Sequence, residues 1–126
     1  MNLENSIYNL NRDVATIMGG ISALKEVHSA YPDKITVFPT AVYSTRRKAY
    51  RRDAHQIETD TQWTVTIDVF KKQGSLTGIV DEITSKFGRI GFTNDVQQAN
   101  QAGFNRSIIT LSGVIDNQAH RVYQAQ

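Results

Sequence analysis

Residues 57–70 alternate with a period of two over their whole length. Thr59, Thr61, Trp63, Val65, Ile67 and Val69 fall on one side, and Asp60, Gln62, Thr64, Thr66 and Asp68 on the other. Such a run, rich in β-branched residues, is the pattern of a half-buried strand in an antiparallel sheet. It is longer than the usual strand of about five or six residues, and any fold for this chain must supply partners along it. A second run, residues 104–116, places Ile109, Leu111 and Ile115 on one face and Ile108, Thr110 and Val114 on the other, which predicts a last long strand.

Two segments carry helical periodicity instead. Leu3, Ile7, Leu10, Val14 and Ile17 recur at spacings of three and four, predicting a helix over residues 3–18 that Gly19 and Gly20 stop. Leu76, Ile79, Val80, Ile83 and Phe87 predict a second, with Ser75 as N-cap and Gly88 as its end. Residues 21–28 suit a short edge strand, and Pro39 opens a strand over residues 40–43. Residues 94–103 read as irregular, and 117–126 as a polar tail. The expected fold is therefore α+β: two amphipathic helices packed on a mostly antiparallel sheet with a long projecting hairpin. Residues 1–116 form the single domain. Each helix has one apolar stripe, so one sheet face stays uncovered or is covered by another molecule.

Charge is concentrated in one place. Residues 1–43 and 56–126 each carry a net charge of −1, whereas residues 44–55 hold Arg46, Arg47, Lys48, Arg51 and Arg52 against Asp53 alone. Mutual repulsion places this segment on the surface or against an anionic partner. With Tyr50 interleaved, the five cations are the candidate interface residues, expected at a hairpin tip over residues 45–56. They suit carboxylates on a neighbouring protein, nucleic-acid phosphates, or solvent alone.

Other chemistries find little support. The absence of cysteine excludes disulfides, zinc–thiolate sites and thiol nucleophiles. His28, His55 and His120 are far apart and match no zinc-helix spacing, and no phosphate-binding glycine loop occurs. Asp60 and Asp68 share a strand face about 26 Å apart, too far for a joint acid–base role. Neither enzyme activity nor a cofactor is expected. No apolar run nears the ~18 residues of a membrane span, and no signal peptide is visible, so a soluble, cytoplasm-like setting without membrane partners is expected.

The succession PTAVYS at 39–44, a variable loop, WTVTIDVF at 63–70, a capped helix, IGF at 90–92 and IITLSGVID at 108–116 resembles the tail terminator (tail completion) proteins of long-tailed bacteriophages. The resemblance spans residues 21–116 in order and type, and the basic segment and polar tail depart from it. It implies a structural virion protein without catalytic residues: a homo-hexameric ring that closes the tail tube and meets the head connector. The implied partners are identical subunits, the tail tube protein and the connector or stopper protein, with passing contact to DNA in the lumen. The implied location is the virion neck, after assembly in the bacterial host cytoplasm. A head-side stopper protein and a small nucleic-acid-binding module are the alternative readings.

Overall fold

Asn9 starts the first helix. In the computed structural model, which describes residues 7–100 and 103–123, its side chain accepts the N–H of Asn11 at 3.2 Å, and α1 runs Leu10–Gly19. The periodicity placed the start too early: Ile7 precedes the cap outside the helix, and Leu3 lies outside the described residues. Then follow β1 (Glu26–His28), β2 (Thr40–Arg52), β3 (Glu58–Lys71), α2 (Thr77–Arg89), β4 (Thr93–Gln98), β5 (Asn105–Asp116) and β6 (Arg121–Tyr123). Among the described residues, two helices and a six-stranded, mostly antiparallel sheet make an α+β fold.

The sheet order is β1-β2-β3-β5-β4, with β6 also on β5; β1 runs parallel to β2 and every other pair is antiparallel. The alternation of β3 decides what each face does. Trp63, Val65, Ile67 and Val69 join Ile109, Leu111 and Ile115 of β5 in the main core. Onto it α1 buries Leu10, Val14 and Met18, and α2 buries Ile79, Val80, Ile83 and Phe87. On the opposite face Gln62, Thr64, Thr66, Thr110 and Ser112 are half-buried polar residues.

That opposite face is closed at its two ends by side chains. At one end Phe104 packs against Phe38 and Phe70, with ring centroids 6.4 and 5.5 Å apart. Arg106 lies 5.4 Å over the Phe70 ring and reaches the buried Asp68 at 3.1 Å. Phe104 belongs to this smaller cluster and not to the main core, because its neighbour Phe70 lies on the even-numbered face of β3. At the other end the Tyr123 hydroxyl donates to the buried Asp60.

Several further boundaries differ from the sequence reading. The basic segment is not a loop tip: β2 continues through it to Arg52, and only residues 53–57 turn. Asp53 organises that turn, its Oδ1 accepting the N–H groups of His55 and Ile57 at 2.8 and 3.1 Å. Helix α2 passes Gly88 and ends at Arg89. There Gly91 takes φ +105°, and the Phe92 N–H bonds back to the Phe87 carbonyl at 3.1 Å. Ser75 sits one residue outside the cap position and accepts the Thr77 N–H at 3.1 Å.

Residues 94–98, expected to be irregular, lie in β4 on β5. The expected polar tail is also part of the body as far as Tyr123. Asn117 is buried, its amide nitrogen 2.9 Å from Thr61 Oγ1 and its amide oxygen accepting the Tyr8 N–H at 3.0 Å. Beyond it β6 pairs with β5, and Val122 fills the space above Gly113. Residues 124–126 of that expected tail lie outside the described residues.

Candidate functional site

The candidate residues lie on an edge of the sheet. β1 pairs with β2 only at residues 40–42, and β3 takes the other side of β2 throughout. Among the described residues, 43–52 therefore have a strand on one side only. An edge of this kind carries unpaired backbone N–H and C=O groups, and charged side chains are the usual means of keeping it from promiscuous pairing.

Alternation divides the cations between two faces. Arg47 stands opposite Trp63 on the helix-covered face, whereas Arg46 and Lys48 stand opposite Thr64 and Gln62 on the other. A register shift between Ala49 and Arg51 leaves Tyr50 without a partner and brings Arg51 opposite Asp60. Arg46, Arg47, Lys48, Tyr50, Arg51 and Arg52 are all exposed. None of the five cations makes an ion pair within 4.0 Å among the described residues. Arg52 instead donates to the Gln56 carbonyl at 3.3 Å. The six residues thus share one edge but not one surface.

Beside Arg47 lies a cleft of about 390 Å³ between that edge and the start of α1, lined by Ile7, Asn9, Asn11, Thr45, Arg47 and Trp63. The Arg47 guanidinium lies 5.8 Å from the indole centroid of Trp63. Thr45 donates its hydroxyl proton to Asn11 across the cleft. Trp63 itself is buried in the main core, as its place in the alternation predicts.

At the end of the β2–β3 hairpin, Asp53, Glu58, Asp60 and Asp116 line a second cleft of about 400 Å³. Each of these carboxylates already holds the fold together. Asp53 binds its turn, Glu58 accepts from Thr61, Asp60 accepts from Tyr123, and Asp116 accepts the N–H groups of Gln118 and Ala119. Burial and the adjacent Asp60 carboxylate push the Tyr123 hydroxyl up to about 12, because ionising it would set two negative charges together. The hydrogen bond to Asp13, followed by burial, raises Tyr8 for a similar reason.

Metal and membrane features give no competing site. Among the described residues no group of three or more His, Cys, Asp or Glu side chains could hold a metal ion. His28 meets Glu26, His55 lies in the Asp53 turn, and His120 packs on Tyr8 with centroids 5.0 Å apart. No helix among them is long and apolar enough to cross a membrane.

Comparison with known proteins adds no assignment. No family model and no curated protein matches the chain. The functional reading therefore rests on the molecule's own geometry and on the resemblance noted in its sequence.

The sequence reading missed the second edge. Among the described residues β4 pairs only with β5, and all six of its residues, Thr93 to Gln98, are exposed. Asn94, Val96 and Gln98 face α2 and form with it a groove of about 280 Å³ that includes Leu76, Val80 and Asp81. Asp95 points to the other face, because it stands opposite Thr110. A strand exposed on both faces leaves no apolar alternation in its sequence, so no signal in residues 93–98 could have revealed it.

Proposed function

We propose that this chain is a structural subunit of a closed ring in the neck of a long-tailed bacteriophage, where it caps the tail tube and presents a surface to the head connector. The observation that carries the reading is the pair of unlike edges on one sheet: the basic edge of β2 and the cation-free edge of β4. Two different, complementary patches on one chain give head-to-tail contact, which propagates and closes into a ring when the rotation permits. The order of elements, and the resemblance of residues 21–116 to tail terminator proteins, give that ring its place and its expected six subunits. The β2–β3 hairpin is read as the part that extends from the ring toward a partner. The molecule works by shape and charge, not by catalysis.

The surface also bears on how such a ring forms. Among the described residues the large exposed hydrophobics are Tyr31, Tyr50, Ile90 and Val96. They are too scattered to drive association by apolar burial. Strand pairing and charge must supply the contact, so rings are expected to weaken with salt and to be favoured on the tube, where copies are held at high local concentration. Negative-stain images and light scattering of the purified chain at low salt, alone and with tail tubes, test the reading. Rings of uniform subunit number are expected on tubes; a chain that stays monomeric when concentrated and does not cap tubes refutes it.

A second reading, nucleic-acid binding, is favoured by the five exposed cations, which make no ion pair among the described residues. It expects duplex affinity that falls steeply with salt, with a slope set by about four or five phosphate contacts. The charge of the rest of the chain weighs against it, because residues 1–43 and 56–126 each carry a net charge of −1 and would be repelled by a phosphate backbone.

A further inference from the structure

We infer that β4 of one copy adds to the open edge of β2 in the next, placing Asp95 against Arg46 and Lys48. The inference rests on the ring reading and specifies the contact that would build it. Among the described residues both strands have a free side, and β4 is short enough to lie wholly within the open stretch, residues 43–52. Adding a strand satisfies a row of backbone donors and acceptors on both partners at once.

Charge selects this pairing over its competitors. Two β2 edges side by side would bring ten cations together, and two β4 edges would oppose their aspartates. The mixed pairing sets an acidic strand against a basic one. Opposite charges directly across a strand pair attract, and like charges destabilise it. A same-edge dimer is thus disfavoured and the head-to-tail contact remains.

The faces agree as well. Asp95 stands opposite Thr110, Thr110 opposite Thr66, and Thr66 opposite Ser44, so Asp95 shares a face with Ser44, Arg46 and Lys48. Val96 follows Ile109 and Ile67 to the side of Arg47. A sheet continued from β4 into the next β2 therefore keeps all helices on one side. It brings the α2–β4 groove, with Val80 and Asp81, beside Arg47 of the neighbour, whose aliphatic stem suits the apolar wall and whose guanidinium suits the carboxylate. Two of the exposed hydrophobics, Val96 and Tyr50, lie on these same two edges.

The absence of cysteine makes the contact directly testable. The full chain carrying both Asp95→Cys and Arg46→Cys, or Asp95→Cys and Lys48→Cys, is oxidised at low salt in the presence of tail tubes and run on a non-reducing gel. Cross-strand neighbours about 4.5–5.5 Å apart are within disulfide reach. A ladder of covalent oligomers ending at a closed ring is expected from at least one pair. Each single variant is expected to give at most dimers. In parallel, Arg46→Glu with Lys48→Glu is expected to weaken self-association roughly tenfold, and adding Asp95→Lys to restore it. All three positions are exposed, so circular dichroism should find the variants folded. Rings seen by microscopy without any ladder or rescue overturn this contact while leaving the ring reading standing. Absence of rings under every condition, again without a ladder, overturns both.

Discussion

Replacing Gly113 with alanine tests whether β6 belongs to the folded body. Gly113 lies in β5, where alanine would ordinarily be tolerated or mildly stabilising, since glycine loses more backbone freedom on folding. Here a Cβ would lie 2.7 Å from Val122 Cγ1 and 3.0 Å from two atoms of the Phe92 ring. Phe92 is buried and held edge-on by Phe87, with centroids 6.1 Å apart, so it cannot easily yield. Overpacking of this kind costs about 1–3 kcal/mol. For a chain of 126 residues the unfolding entropy is about 0.26 kcal/mol/K, so the midpoint should fall by roughly 4–11 °C. Thermal unfolding followed by circular dichroism reads this directly. Val122→Ala removes the closer clash, so the Gly113→Ala penalty should shrink by about 1 kcal/mol in that background, the Phe92 contact accounting for the rest. An equally stable Gly113→Ala protein, or the same penalty with and without Val122, would refute the packing of β6 over β5.

Three further perturbations probe other parts of the structure. Arg106→Ala strands the buried Asp68 carboxylate and should cost about 3–5 kcal/mol in urea unfolding, whereas the Asp68→Leu, Arg106→Met pair should cost far less; equal losses would contradict a buried ion pair. Asn117→Ala removes hydrogen bonds to Thr61 and Tyr8 and should lower stability by about 2 kcal/mol with an unchanged denaturant slope. A change below about 0.5 kcal/mol would mean that residues 117–123 are not anchored there. Tyr123 has a folded value raised from 10.0 to about 12, so its neutral form is the one the fold stabilises. That contribution is complete below pH 10 and is lost as pH rises from 10 toward 12, an alkaline sensitivity that Tyr123→Phe should remove in stability measurements across this range.

Side-chain chemistry on the basic segment was legible without the fold: five cations around Tyr50, necessarily exposed. Their arrangement was not. Read as a tip, they form one cluster; paired residue by residue with β3, Arg47 goes to one face and Arg46 and Lys48 to the other. An edge strand exposed to solvent has no burial to imprint alternation, so residues 46–52 look like loop. The same holds for the complementary edge, since Thr93 to Gln98 is exposed throughout and takes its strand geometry from hydrogen bonds to β5. Both partners of the proposed contact are therefore strands that hydrophobic patterning cannot register.

Periodicity alone determined the long central strand, both helices and the last long strand, because burying apolar side chains on one face requires a repeat of 2 or 3.6 that the sequence must display. It determined too that Trp63 would be buried and that charge would collect at one place. Tertiary structure decided where chain ends and edges lie: that Asn9 starts α1, that Gly91 closes α2, that β4 exists, and that Asn117 and Val122 fold the supposed tail back onto the sheet. These depend on hydrogen-bond partners and close contacts between residues distant in sequence, such as Asn117 with Tyr8 and Gly113 with Val122, and no local repeat records them.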